Sequence, residues 1–351
     1  MPMVWVWFHL LVILLLFLDL RVFHRHAHAI AIREAVAFSI FWIVISLLFM
    51  VPLYFLYQHH FDASVAAIGA VQKVERLGTL SGAQAATLYF TGYLVEKALS
   101  VDNLFVFLVI FAYFRVEPRY QHRVLFWGIL GAIVMRAAFI LAGAALIQRF
   151  HWLLFIFAAF LVFTGVRMAI KSEQAVHPEK NLVLRICRRW LKVTPDYVQG
   201  RFVVRHNGQR MFTPLFIVLL VIETSDVVFA TDSIPAILGI TTDPFIVYSS
   251  NIFAILGLRA LFFALSGLME MFHLLHYGLA AILVFIGAKM FLEAGHHYPD
   301  WPLPSYDMPT PAALGVIAGI LLLSILASWL FPRRAMPTPE LDRSKSLKKP
   351  G

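Results

Sequence analysis

Three strongly apolar segments in residues 89–171 recur 122 to 124 positions later, in 212–293. An odd number of crossings per copy means that the second copy runs through a membrane in the opposite direction to the first. This is the inverted repeat of many secondary transporters. The third segments match best. Phe150-His151, Ala158-Ala159, Leu161-Val162-Phe163, Gly165, Arg167 and Met168 correspond to Phe272-His273, Ala280-Ala281, Leu283-Val284-Phe285, Gly287, Lys289 and Met290 at a constant offset of 122. In the second segments, Arg136-Ala137-Ala138-Phe139 through Gly143 matches Arg259-Ala260-Leu261-Phe262 through Gly267. In the first, Ser100-Val101-Asp102 with Phe105 matches Thr224-Ser225-Asp226 with Phe229. Apolar residues align by composition alone. The ordered Asp, Arg and Phe-His positions carry the match.

With 60% hydrophobic and 14% charged residues, the chain reads as an all-α, polytopic helical bundle. About 20 apolar residues span the hydrocarbon. Nine spans are predicted: 3–20, 36–57, 88–114, 124–147, 151–170, 213–238, 245–268, 275–293 and 311–331. They divide the chain into two N-terminal helices with an outer loop (1–87), the first copy (88–171), a basic inner loop (172–212), the second copy (213–293), an outer loop with the ninth helix (294–331) and a basic tail (332–351). With the N-terminus outside, the inner segments hold 21 Lys and Arg and the outer ones only Lys73, Arg76 and Arg149. The positive-inside rule therefore predicts an outer N-terminus and a cytoplasmic C-terminus. The first segment lacks a positive n-region, so a cleaved signal peptide is not expected. The net charge of +9 follows from this loop bias. It calls for anionic lipid headgroups and no nucleic acid. Protein partners are not legible. The lone Cys187 excludes an internal disulfide or a cysteine metal site. An amphipathic piece is expected at 182–190, and a disordered tail at 332–351. Three histidine groups, His24, His26 and His28, His59-His60, and His296-His297, sit in or near loops and are read as solvated.

Away from the span ends, five acids fall inside the spans: Glu96, Asp102, Glu223, Asp226 and Asp232. Arg167 and Lys289 lie near span ends, where they can snorkel. The deeper bases are Lys97, Arg136 and Arg259, which leaves a formal excess of two carboxylates. A charge at mid-bilayer costs about 2.5–3.5 kcal/mol, so these groups face the bundle interior and find partners there. One arrangement has Asp102 and Asp226 each holding one of Arg136 and Arg259. The excess can be met by a divalent cation or by protons. Ser100, Asn103, Thr224, Ser225, Thr231 and Ser233 supply further oxygen donors. Oxygen ligands favour Mg2+, Ca2+ or Mn2+ over zinc or copper. Glu96, Ser100 and Asn103 share one helix face, and Glu223, Asp226 and Ser233 another. Asp102 and Asp232 point elsewhere. Pro235 cannot donate to the Thr231 carbonyl, so it is the candidate hinge, freeing a carbonyl as an extra ligand.

The stretches Glu96-Lys97-Ala98-Leu99-Ser100-Val101-Asp102-Asn103 and Glu223-Thr224-Ser225-Asp226, continuing Phe229-Ala230-Thr231-Asp232-Ser233-Ile234-Pro235-Ala236, resemble the two signatures of the TerC/Alx family of bacterial inner-membrane proteins. The resemblance covers nearly the whole chain. It implies manganese export or homeostasis, with Glu96, Asp102, Asn103, Glu223, Asp226 and Asp232 handling the ion. Tellurium resistance, which names the family, marks a phenotype rather than a substrate. No tightly bound cofactor is expected, since Mn2+ or another hard divalent cation is cargo. Ser100, Ser225, Thr231, Ser233, Arg136 and Arg259 would support the site, and exchange for protons would drive it. Two other readings stand beside this one. The first is a non-transporting metal-binding or docking protein acting through residues 171–212. The second is an oxyanion carrier built on Arg136 and Arg259. An intramembrane enzyme is disfavoured, because no His-Glu-x-x-His zinc motif is present.

Overall fold

The computed structural model describes residues 2–23, 32–68, 79–170, 191–198, 200–206, 209–266, 274–295 and 308–331. The expectations for His24, His26, His28, His273, His296, His297, Gly267, Cys187, the piece at 182–190 and the tail lie outside them. Eleven helices and one hairpin follow in order: α1 (Pro2–Phe23), α2 (Ile32–Leu48), α3 (Met50–Ile68), α4 (Gly82–Tyr113), α5 (Pro118–Arg149), α6 (Leu153–Ile170), β1 (Val203–His206), β2 (Gln209–Phe212), α7 (Pro214–Leu238), α8 (Pro244–Leu256), α9 (Leu258–Ser266), α10 (Leu275–Ala294) and α11 (Thr310–Leu330).

Local chemistry sets the helix ends. Ser81 opens α4 with a capping box: its hydroxyl accepts from the Gln84 amide at 3.3 Å, and the Gln84 side chain accepts from the Ser81 amide at 2.9 Å. The helix closes when Arg115 takes φ 52° and the Val116 amide reaches back to the Phe111 carbonyl at 2.9 Å. Pro118, Pro214 and Pro244 start α5, α7 and α8, where a missing N–H costs nothing. Asp243 caps α8 by accepting from the Phe245 and Ile246 amides at 2.9 and 3.0 Å.

The bundle is apolar outside as well as inside. On α1, Phe8, Val12, Leu15 and Asp19 form the buried stripe. Trp7, Leu10, Leu14 and Phe17 on the same helix are exposed, as are Phe163 and Ile170 on α6 and Leu323 and Trp329 on α11. Glu96, Arg136, Asp226, Asn251 and Arg259 are buried. An outer surface of large apolar side chains, with a few paired charges buried in an otherwise apolar interior, matches a lipid solvent. This is a multi-pass integral membrane protein. By length and composition, six described helical stretches can cross a membrane, or seven if the bent pair α8–α9 is one span. Two of the nine predicted spans do not qualify, for different reasons. In α1 the apolar run stops at Met3–Asp19. Helix α4 is long enough, but Glu96, Lys97 and Asp102 interrupt its apolar character.

Two further expectations are corrected. Pro235 does not break its helix: α7 continues through it to Leu238. The break falls instead at Gly257, where α8 and α9 meet at 43°. The chain is also not wholly helical. Strands β1 and β2 pair antiparallel from Val203↔Phe212 to His206↔Gln209. The signal for this hairpin was Asn207-Gly208 between the two strands, the dipeptide that tight hairpin turns favour. Tyr197 ties this region to the bundle, with its hydroxyl donating to the Phe114 carbonyl at 2.7 Å. Burial raises the pKa of this phenol.

Contacts between the two sequence copies are reciprocal. Helix α4 packs on α8, α5 packs on α7, and α6 packs on α10 in the most extensive interface of the bundle. A Cβ at Gly165 would fall 2.7 Å from the Ala280 carbonyl oxygen, and one at Gly287 would fall 2.8 Å from the Ala158 carbonyl oxygen. Gly165 and Gly287 are repeat mates, as are Ala158 and Ala280. The same close contact is therefore made twice, in opposite senses, along an antiparallel pair.

Candidate functional site

The centre of the site is Arg136, in the middle of α5 and fully buried. Its Nη1 donates to Glu96 Oε1 on α4 and, at 3.2 Å, to Asn251 Oδ1 on α8. Its Nη2 donates to Asp226 Oδ1 on α7 at 3.3 Å. One guanidinium thus joins the first and second helices of both copies. The planar fork of arginine suits two carboxylates at once. Asn251 is oriented by its own backbone, since its Nδ2 donates to the Val247 carbonyl at 3.1 Å. That turns the amide oxygen toward Arg136. Ser100 donates to Glu96 Oε1 at 3.4 Å.

A third carboxylate lies beside this cluster. Glu223 is one turn before Asp226 on α7, and its carboxyl packs onto Gly131 of α5. A Cβ at position 131 would overlap both carboxylate oxygens, so only glycine lets Glu223 lie there. Glu96, Glu223 and Asp226 against Arg136 make three carboxylates to one guanidinium, a formal charge of −2 when all are ionised. The network is also incompletely satisfied. Glu96 Oε2 and Arg136 Nε are buried with no hydrogen-bond partner. Such groups in a dry interior are costly unless something else completes them.

The other predicted residues stand apart. Asp102 is half-buried on another face of α4, with His276 of α10 nearby. It does not pair with Arg136. Asp232 faces α6, with Thr164 and Arg167 as its polar neighbours. Arg167 therefore has an acid within reach besides its interfacial position. Arg259 does not hold Asp102 or Asp226. It binds Asp19 on α1, with Nη2 at 3.2 Å from Oδ2 and 3.0 Å from the Asp19 carbonyl oxygen. The 43° break at Gly257 places Arg259 on α9, next to a helix outside the repeat. Lys97 donates to the Ala254 carbonyl at 3.2 Å, just before that break. Ser225 and Thr231 donate to carbonyls of their own helix, Val221 at 2.8 Å and Val228 at 2.6 Å. Continuous helices favour such back-bonding. Among the described residues, no three His, Cys, Asp or Glu side chains converge as a metal-binding group. The six predicted ion ligands thus divide into a central set, Glu96, Glu223 and Asp226, a buried Asn103 two turns along α4 from Glu96, and two outlying acids, Asp102 and Asp232.

Sequence reasoning missed Asn251, Gly131 and Asp19. Asn251 lies outside the two acid-bearing segments, whose oxygen donors alone enter the predicted site. Asp19 sits at the end of a segment outside the repeat.

The integral membrane protein TerC family matches residues 81–336. An uncharacterized membrane protein of Myxococcus xanthus is 48% identical over 257 residues, which is 73% of this chain and 77% of the relative. The Escherichia coli K12 protein provisionally named membrane-bound redox modulator Alx is 43% identical over 299 residues, 85% of each chain. A Rickettsia felis membrane protein is 43% identical over 296 residues, 84% of this chain and 87% of the relative. No solved structure matches significantly. The match over residues 81–336 takes in both copies and every helix that contributes to the Arg136 cluster, and the chain belongs to the TerC family of integral membrane proteins.

Proposed function

We propose that this protein transports a divalent cation across the bacterial inner membrane by alternating access of two inverted three-helix repeats. The observation that carries the reading is the buried cluster of Glu96, Asp226 and Glu223 around Arg136, built from the first and second helices of both copies. Its formal charge of −2 matches a divalent ion, and its donors are oxygens. The family resemblance adds Mn2+ as the preferred cargo and export as the direction. The reciprocal α6–α10 packing supports inversion, and the Lys and Arg bias supports an outer N-terminus and a cytoplasmic C-terminus. An oxyanion carrier built on Arg136 and Arg259 has less support, because both guanidiniums already engage acids. Redox modulation, named for the relatives, would need a partner or cofactor for thiol chemistry, since one cysteine cannot form an internal couple.

Purified protein in proteoliposomes, tested for flux of Mn2+, Ca2+, Mg2+ and Zn2+ with and without a pH gradient, is expected to move Mn2+ fastest. Absence of flux for all four would remove the transport reading. Gly131→Ala probes the third carboxylate. Alanine improves helix propensity by about 1 kcal/mol, so the fold is kept while Glu223 is pushed off α5. Mn2+ affinity is expected to fall about tenfold. Unchanged affinity in a binding titration would take Glu223 out of the site.

A further inference from the structure

We infer that the Arg136 guanidinium is a tethered stand-in for the transported cation, holding the carboxylates while the site is empty and leaving them when the ion binds. This rests on the cation-transport reading above and specifies how the empty carrier is kept neutral enough to reorient.

Three observations lead to it. First, Arg136 takes the oxygens a cation would need. It holds Glu96 Oε1, Asp226 Oδ1 and Asn251 Oδ1 from three helices and both copies. A metal ion and a guanidinium cannot share those oxygens, since like charges a few ångströms apart in a dry interior repel strongly. Second, the cluster is unfinished on both sides of the ion pair. Glu96 Oε2 and Arg136 Nε are buried without partners, so the ion pair leaves one atom on each side open to a further ligand. Third, Glu223 waits against Gly131, five residues before Arg136 on the same helix, without an ion pair to it. Departure of Arg136 would free Glu96 and Asp226 for the incoming ion, with Glu223 one turn away on α7.

The repeat makes the device single. Arg259, the mate of Arg136, is committed to Asp19 on α1. Only one copy supplies a guanidinium to the carboxylates, so one displacement accompanies one ion. A tethered competitor lowers apparent affinity for the ion. It also offsets one of the negative charges that would hold an empty carrier on one side.

The test compares two modes in proteoliposomes for wild type, Arg136→Gln and Arg136→Lys. The modes are exchange of radiolabelled Mn2+ against Mn2+ and net efflux into Mn2+-free buffer, with Mn2+ binding measured on the purified proteins. In Arg136→Gln, Mn2+ is expected to bind about tenfold tighter, and the ratio of exchange to net efflux to rise about tenfold or more. Lysine keeps the charge but not the two-armed geometry, and is expected to restore net efflux. Weaker binding with a parallel loss of both modes in Arg136→Gln would overturn the inference and leave Arg136 a positioning residue. If Arg136→Gln does not fold, Arg136→Lys decides alone, because equal loss of exchange and net efflux there has the same meaning. If wild type moves no divalent cation in either mode, it is the transport reading that fails.

Discussion

Asp226→Asn and Glu96→Gln are each expected to lower Mn2+ flux about a hundredfold, while Asp102→Asn costs about tenfold or less. The substitutions are isosteric. An amide oxygen can still accept from Arg136, so the helices α4, α5 and α7 keep their registration through the guanidinium. What disappears is a negative charge facing the ion in a dry interior. A hydrogen bond or ion contact to a charged group contributes about 1.5–3 kcal/mol, and about 1.4 kcal/mol is a factor of ten. Asp102 lies outside the Arg136 cluster beside His276, so its loss acts on the path or on coupling and not on the central site. Initial rates at sub-saturating Mn2+, normalised to reconstituted protein, give the ranking. Equal damage from Asp102→Asn and Asp226→Asn would restore the symmetric pair to the centre and discard the three-carboxylate site.

This ranking departs from what symmetry in the sequence suggests, and the reason is physical. The repeat relates Asp102 to Asp226 and Arg136 to Arg259, so two equivalent acid–arginine pairs are expected. The helix packing obeys the relation: α5 meets α7 as α8 meets α4. One pair forms, Arg136 with Asp226. Its mate does not, because α8 and α9 bend by 43° at Gly257 and Asp19, from outside the repeat, takes Arg259. A periodic comparison cannot see a partner that has no mate. Glu96 and Glu223 were legible because a carboxylate in an apolar span is expensive. Asn251 and Gly131 were not, since an amide and a glycine cost little there and their roles arise only from contact. The hinge was sought at Pro235, the residue lacking an N–H. Three residues before the end of α7, its missing bond breaks little, and the bend falls at Gly257. The hairpin at 203–212 was signalled by Asn207-Gly208 but hidden by the helical character of everything around it.

Asp19→Leu and Arg259→Met are each expected to destabilise the protein by about 3–5 kcal/mol, and the double variant to recover most of the loss. The side chains of Arg259 and Asp19 are 1% and 4% exposed. Either single change leaves a charge in the bundle with its main counter-charge gone. Removing both replaces an ion pair with apolar groups of similar volume, which is often neutral or better. Thermal unfolding in detergent across the four proteins gives the coupling as a double-mutant cycle. Additive losses would mean that the two residues do not stabilise each other and that α1 is held by its apolar stripe, Phe8, Val12 and Leu15, alone. The same proteins separate two functions for the second arginine. Arg259 is joined to α1 through Asp19, so the double variant should still move Mn2+. An oxyanion carrier that used Arg259 would lose its cargo in the single and double variants alike. Retained cation flux in the stabilised double variant would therefore assign Arg259 to architecture and leave Arg136 as the one guanidinium that answers to the ion.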